Sequence, residues 1–159
     1  MEVIAEYRFE QQLDDKALRL CLKEHEIDTR RLSRFTALAL LGALPLRGYL
    51  NEESAIYLGS SFNSPTKFWK LFNNLMLRGM PSPLDFMANI SNAATFQLAQ
   101  SLNLNGTSLF LALEKSQLSQ LFELAELDLS VNQTALVGWV FEHYRQDQKD
   151  ESVWWVVKR

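Results

Sequence analysis

Asn105-Gly106-Thr107-Ser108-Leu109-Phe110-Leu111-Ala112-Leu113-Glu114-Lys115-Ser116-Gln117 reads as a tight turn, a strand, an abrupt corner and the start of a helix. Asn-Gly turns the chain. Leu109, Phe110, Leu111, Ala112 and Leu113 run without alternation, the pattern of a strand covered on both faces. Strand-to-helix corners of this kind often hold a nucleophile over the positive end of the helix dipole. Here the corner carries Glu114 and Lys115, and no serine–histidine or cysteine–histidine couple accompanies them.

Downstream, Leu118, Leu121, Phe122 and Ala125 mark one helix face, with Ser116 as candidate cap. Residues 135–141 and 152–157 read as two more strands. The polar stretch between them is short, so the spacing predicts a C-terminal antiparallel hairpin. Upstream, residues 3–9 alternate apolar and polar, a first strand. Leu13, Ala17, Leu20 and Cys21 share a helical stripe, with Asp14 and Asp15 in the first turn. Residues 35–44 are apolar almost all round, which predicts a helix buried on most sides, opened by Ser33. Residues 54–61 form a strand running into Gly59-Ser60-Ser61, a weak match to a phosphate-cradling loop.

Ser64-Pro65 opens a further helix, whose Phe68, Trp69, Leu71, Phe72, Leu75 and Met76 form an apolar stripe suited to core or interface. Gly79 ends that helix, and Pro81-Ser82-Pro83 makes a stiff turn into a loop over residues 84–89. The next helix, residues 90–102, carries Ile90, Ala94, Leu98 and Leu102 on one face. Strands thus alternate with helices until the final pair. The expected fold is a single α/β domain over residues 1–159, with a mixed five-stranded sheet and helices on both faces.

The 159 residues suffice for a real core, with 47% hydrophobic and 22% charged residues. A net charge of −3 argues against nucleic acid as a partner. The lone cysteine, Cys21, excludes an internal disulfide and fits a reducing cytoplasm. The acidic N-terminal stretch lacks the basic character of a signal peptide, and no apolar run reaches membrane-spanning length. No metal site or cofactor fingerprint stands out. Arg30-Arg31-Leu32-Ser33-Arg34 admits a phosphate-binding reading, against the plainer one of a solvated helix entry. His25 and His143 read as surface residues.

Taken in order, several segments resemble the N-terminal half of β-ketoacyl synthases of the thiolase fold. They are residues 30–34, the apolar helix, Ala55-Ile56-Tyr57-Leu58-Gly59-Ser60-Ser61, Ser82-Pro83 and Asn92, then the Leu104–Ser108 turn and residues 135–142. The resemblance implies a thiolase-like half and places the family's nucleophilic cysteine at Lys115. A thiolate is needed there to take an acyl group as a thioester, whereas an acylated lysine would be a stable amide. The family's two catalytic histidines belong to a C-terminal half that does not follow here.

The resemblance therefore implies a non-catalytic subunit, similar to the chain-length factors of type II polyketide, fatty acid and aryl polyene systems. It implies a full-length ketosynthase as partner, with acyl carrier protein involved at most indirectly, and the Leu109–Leu113 strand at the interface. Within the loop over residues 86–89 it makes Phe86, Met87 and Asn89 candidates for lining the partner's acyl tunnel, or for packing the interface alone. A stand-alone homodimeric scaffold and an enzyme with an unrecognised site are the alternatives.

Overall fold

The computed structural model describes Met1–Arg159. Its strands are β1 (Glu2–Phe9), β2 (Ala55–Ser60), β3 (Ser108–Ala112), β4 (Thr134–Phe141) and β5 (Glu151–Lys158). Its helices are α1 (Asp15–Glu24), α2 (Arg34–Ala43), α3 (Pro65–Arg78), α4 (Pro83–Ala88), α5 (Ala93–Leu102) and α6 (Ser119–Asp128). The strands form one mixed sheet in the order β1-β5-β4-β2-β3. β3, β2 and β4 are parallel; β4–β5 is the antiparallel hairpin, and β1 pairs antiparallel with β5.

The central strands are the most apolar, and all six residues of β2 are buried. Side chains alternate between faces along a strand, so each strand feeds two cores. Ile56, Leu58, Leu136, Val140, Trp154 and Val156 point to the larger core, under α1, α2 and α5. Tyr57, Ala135, Val137, Trp139 and Val157 point to the smaller one, under α6. The expected α/β architecture with helices on both faces and a terminal hairpin is the one observed.

Nine of the ten residues of α2 are buried, because the helix lies between the sheet, α1 and α5. The Ser33 hydroxyl accepts from the Thr36 amide at 3.1 Å and caps it. The stripe expected on α1 is displaced. Asp14 is the cap, and Leu18 and Leu22 are buried while Leu20 is 53% exposed. Leu18, Cys21 and Leu22 also stand at helical spacing, and it is this set that packs into the larger core, where α1 meets α2. Residues 84–89 are not a loop. Ser82 caps, Pro83 occupies the first turn and Asp85 follows, so 83–88 close into α4.

Candidate functional site

The corner after β3 is built by its own side chains. Leu113 is buried and anchors the end of the strand. The Glu114 carboxylate accepts from the Gln117 amide, and the Gln117 side chain accepts from the Glu114 amide at 2.9 Å. This reciprocal capping box starts a short 3-10 turn, Lys115–Gln117, that leads into α6. Glu114 therefore does the capping that the sequence suggested for Ser116. Lys115 points outward and pairs with Glu151 of β5 at 2.5 Å. That ion pair offsets the unfavourable placement of a cation at a helix start.

Beside the corner lies an open hollow of about 550 Å³, lined by Phe62, Pro65, Phe68, Trp69, Phe141 and Tyr144, with Ser61, Glu114 and Gln148. Its polar groups are hydroxyls, an amide and the capping carboxylate, and Lys115 is not among its lining residues. No three His, Cys, Asp or Glu side chains gather in a metal-binding arrangement. Ser60 is buried within β2, and its hydroxyl donates to the Phe62 carbonyl at 3.1 Å. The Gly59-Ser60 pair thus belongs to the strand, not to a phosphate cradle.

β3 is the outermost strand. It pairs with β2 on one side, and its other edge is free. Coverage on both faces, expected from its run of apolar residues, is incomplete: Leu109 is 38% exposed and Ala112 is exposed, while Phe110 meets Phe35 edge-on at 6.3 Å. The opposite sheet edge is different. β1 carries Glu2, Glu6 and Arg8 and an irregularity between Val3 and Ala5. Charges and bulges of that kind discourage edge-to-edge pairing. β3 carries neither.

Phe86 and Met87 are 55% and 60% exposed on α4. Met87 lines an apolar hollow of about 450 Å³ with Leu84, Ile90 and Phe96, whereas Phe86 does not. Asn89 follows the helix. Its carbonyl accepts from Asn63 at 3.1 Å, and its Oδ1 is buried without a partner.

A polar cluster missed by sequence reasoning ties the helices to the hairpin. Arg34, grouped in sequence with the exposed Arg30 and Arg31, is itself mostly buried. It donates to Asp150, to Asp15 at 2.7 Å and to the Leu13 carbonyl at 2.6 Å. Its guanidinium is thus engaged within the protein, and the phosphate-binding reading finds no support there. His143 is not a free surface residue: its Nδ1 lies 2.7 Å from Asp150. Burial works to raise the Asp150 pKa, but hydrogen bonds from Arg34 and His143 outweigh it and hold the carboxyl below its ordinary value. Glu142, fully buried at the end of β4, accepts from the Thr66 amide at 3.1 Å, the Thr66 hydroxyl and the Ser64 hydroxyl. Burial pushes the Glu142 carboxyl up, against these hydrogen bonds. Charges this far apart in sequence give no local signal of their pairing.

No protein-family model matches the sequence, and no curated protein matches it at the sequence level. Solved structures match the fold. A ketosynthase (ApeO) in complex with its chain length factor (ApeC) from Xenorhabdus doucetiae gives a TM-score of 0.73 at 12% identity, covering 99% of this chain and 78% of the matched one. The chain has a thiolase-like half fold. The ishigamide ketosynthase/chain length factor matches at 0.62 and 17% identity, over 82% of this chain and 45% of its own. PksG, an HMG-CoA synthase from Bacillus subtilis, matches at 0.57 and 14% identity, over 99% and 40%. The chain thus spans less than half the length of the last two. The likeness includes both ketosynthase/chain length factor proteins and an enzyme of another activity, so at these identities it establishes the fold alone.

Proposed function

We propose that this chain is a non-catalytic, chain-length-factor-like subunit that binds and stabilises an active β-ketoacyl synthase. The observation that carries the reading is the uncharged, unbulged free edge of β3, leading to a corner whose Lys115 is engaged by Glu151. An open apolar edge is an aggregation hazard unless another strand covers it. A ketosynthase strand would extend the sheet there and add main-chain hydrogen bonds. In this reading Phe86, Met87 and Asn89, on and just after α4, are the candidates for shaping the partner's acyl tunnel or for packing the interface. The system served is polyene or polyketide biosynthesis, with acyl carrier protein meeting the synthase rather than this chain.

The test is co-expression with the β-ketoacyl synthases of its own organism, followed by size-exclusion chromatography with light scattering. A stoichiometric complex is expected. A chain that stays a soluble monomer beside every synthase, or that forms only a homodimer through β3, refutes the reading. In the complex, Lys115→Ala is expected to leave the condensation rate within about twofold, since Lys115 is exposed, engaged by Glu151 and absent from the lining of the hollow beside the corner. Loss of turnover in an intact complex would assign Lys115 a role in the chemistry.

A further inference from the structure

The α3–α4 hairpin is packed inside out. Along α3, Lys67, Leu71 and Asn74 fall on a half-buried side, and Phe68, Trp69, Phe72, Leu75 and Met76 on an exposed one. A surface helix ordinarily turns its apolar side toward the body of the protein. Here Lys67 and Lys70 both reach Asp85 of α4, at 3.1 and 2.9 Å, and the Asp85 side chain is only 9% exposed. The side of α3 that carries Lys67 therefore faces α4, Lys70 reaches in from its margin, and most of the apolar side faces out. Pro65 is the only buried residue of its fourteen. Trp69 is 55% exposed and Met76 68%. More than half of the large apolar side chains exposed anywhere on the molecule lie between residues 62 and 96. Among them Phe62, Phe68, Trp69 and Phe72 touch one another, and an exposed apolar cluster of that kind marks a binding surface.

The hairpin is rooted beside the free edge. The chain leaves for it at Ser60, which registers with Ala112 of β3, and returns as α5, which packs on β3. The hairpin is also cationic, with Lys67, Lys70 and Arg78 against the single carboxylate of Asp85, on a chain whose net charge is −3. Lys70, whose side chain is 59% exposed, and Arg78 remain in solvent beside the outward face, so two such faces laid together would bring these like charges near one another, which disfavours a second copy as the occupant.

We infer that the α3–α4 hairpin is the principal docking element for the synthase partner. Its outward face, centred on Trp69, Phe72 and Met76, seats in an apolar groove bordered by carboxylates. The inference rests on the partner reading above and adds a second contact to the β3 edge. The Asp85 clamp fixes the hairpin before docking, so little ordering cost accompanies association.

The experiment measures binding of the purified chain to the purified β-ketoacyl synthase by biolayer interferometry, for the wild type, F72D/M76D and R78E. Circular dichroism confirms that each variant is folded, which is expected because these side chains lie outside both cores. F72D/M76D should weaken binding by about 100-fold or more, as for central anchor residues. R78E should slow association severalfold at low salt, with the difference shrinking at high salt. Unchanged affinity of folded F72D/M76D would overturn the docking role and leave the partner reading standing. A wild-type chain that binds no synthase would remove both. A free chain that dimerises through the hairpin, or floats with phosphatidylglycerol vesicles unless Phe72 and Met76 are replaced, would overturn the assignment of the occupant.

Discussion

Trp154 shows how single residues set the packing. Its indole is fully buried, and Nε1 donates to the Ser152 hydroxyl, which donates to the Leu38 carbonyl of α2. Two glycines make room for it: a Cβ on Gly138 would lie 2.2 Å from the ring, and one on Gly42 would lie 2.5 Å from it. Gly138→Ala should therefore cost about 1–3 kcal/mol, read as a lower urea midpoint. The buried carboxylates make opposite pH predictions. Asp150 has its pKa lowered, so its contribution is present above the ordinary value of 3.8 and is lost as pH falls through the folded value. Asp150→Asn leaves Arg34 without its buried counter-charge and should cost about 3–5 kcal/mol at pH 7, less near pH 3. Glu142 has its pKa raised, so its contribution is present below 4.5 and is lost as pH rises through the folded value. A glutamine there can still accept from Thr66 and donate to Ser64. Glu142→Gln should thus gain stability relative to the wild type between pH 4 and 7 in denaturant titrations. A difference that does not change with pH would show that Glu142 does not ionise in that range.

At the level of elements, the two sheet edges are treated differently. β1 has charges and an irregular register, whereas β3 has five uncharged residues and an open ladder. Leu109→Lys introduces the charge that β1 already has. Because Leu109 is partly exposed, the fold should change by about 0.5 kcal/mol or less, while pull-down of the synthase is lost. Retention of a full-strength complex would show that β3 is not the interface. The hairpin makes a separate prediction. Asp85→Asn loosens the Lys67–Asp85–Lys70 clamp and should speed amide exchange across α3 and α4 without changing protection in β4. Faster exchange in β4 as well would mean that Asp85 supports the core. Both elements were legible as apolar segments in the sequence. The direction each faces was not, because spacing tells which side chains share a side and not what lies opposite.

For the whole molecule, two cores on opposite faces of one sheet account for the fold, while the β3 edge and the outer face of α3 remain uncovered. The outer side of α6 is solvated and largely polar, with Gln120, Glu123 and Glu126 exposed. Exposed large apolar side chains are thus densest between residues 62 and 96. A partner that binds only the folded chain raises its apparent stability by mass action. The thermal midpoint of this chain should rise with synthase concentration in scanning fluorimetry, and a midpoint independent of synthase would argue against specific binding. The amino-acid sequence by itself determined the elements, the buried helix α2, the central strands, the C-terminal hairpin and the absence of a thiolate at the corner. These depend on local periodicity and residue identity. The tertiary structure alone decided that the faces of β3 are only partly covered, that Leu18 and Leu22 are the buried side of α1, that α3 turns Lys67 toward Asp85, and that Arg34, His143 and Asp150 form one cluster. Each of those depends on contacts between segments distant in the chain, where neither spacing nor composition carries the partner's position.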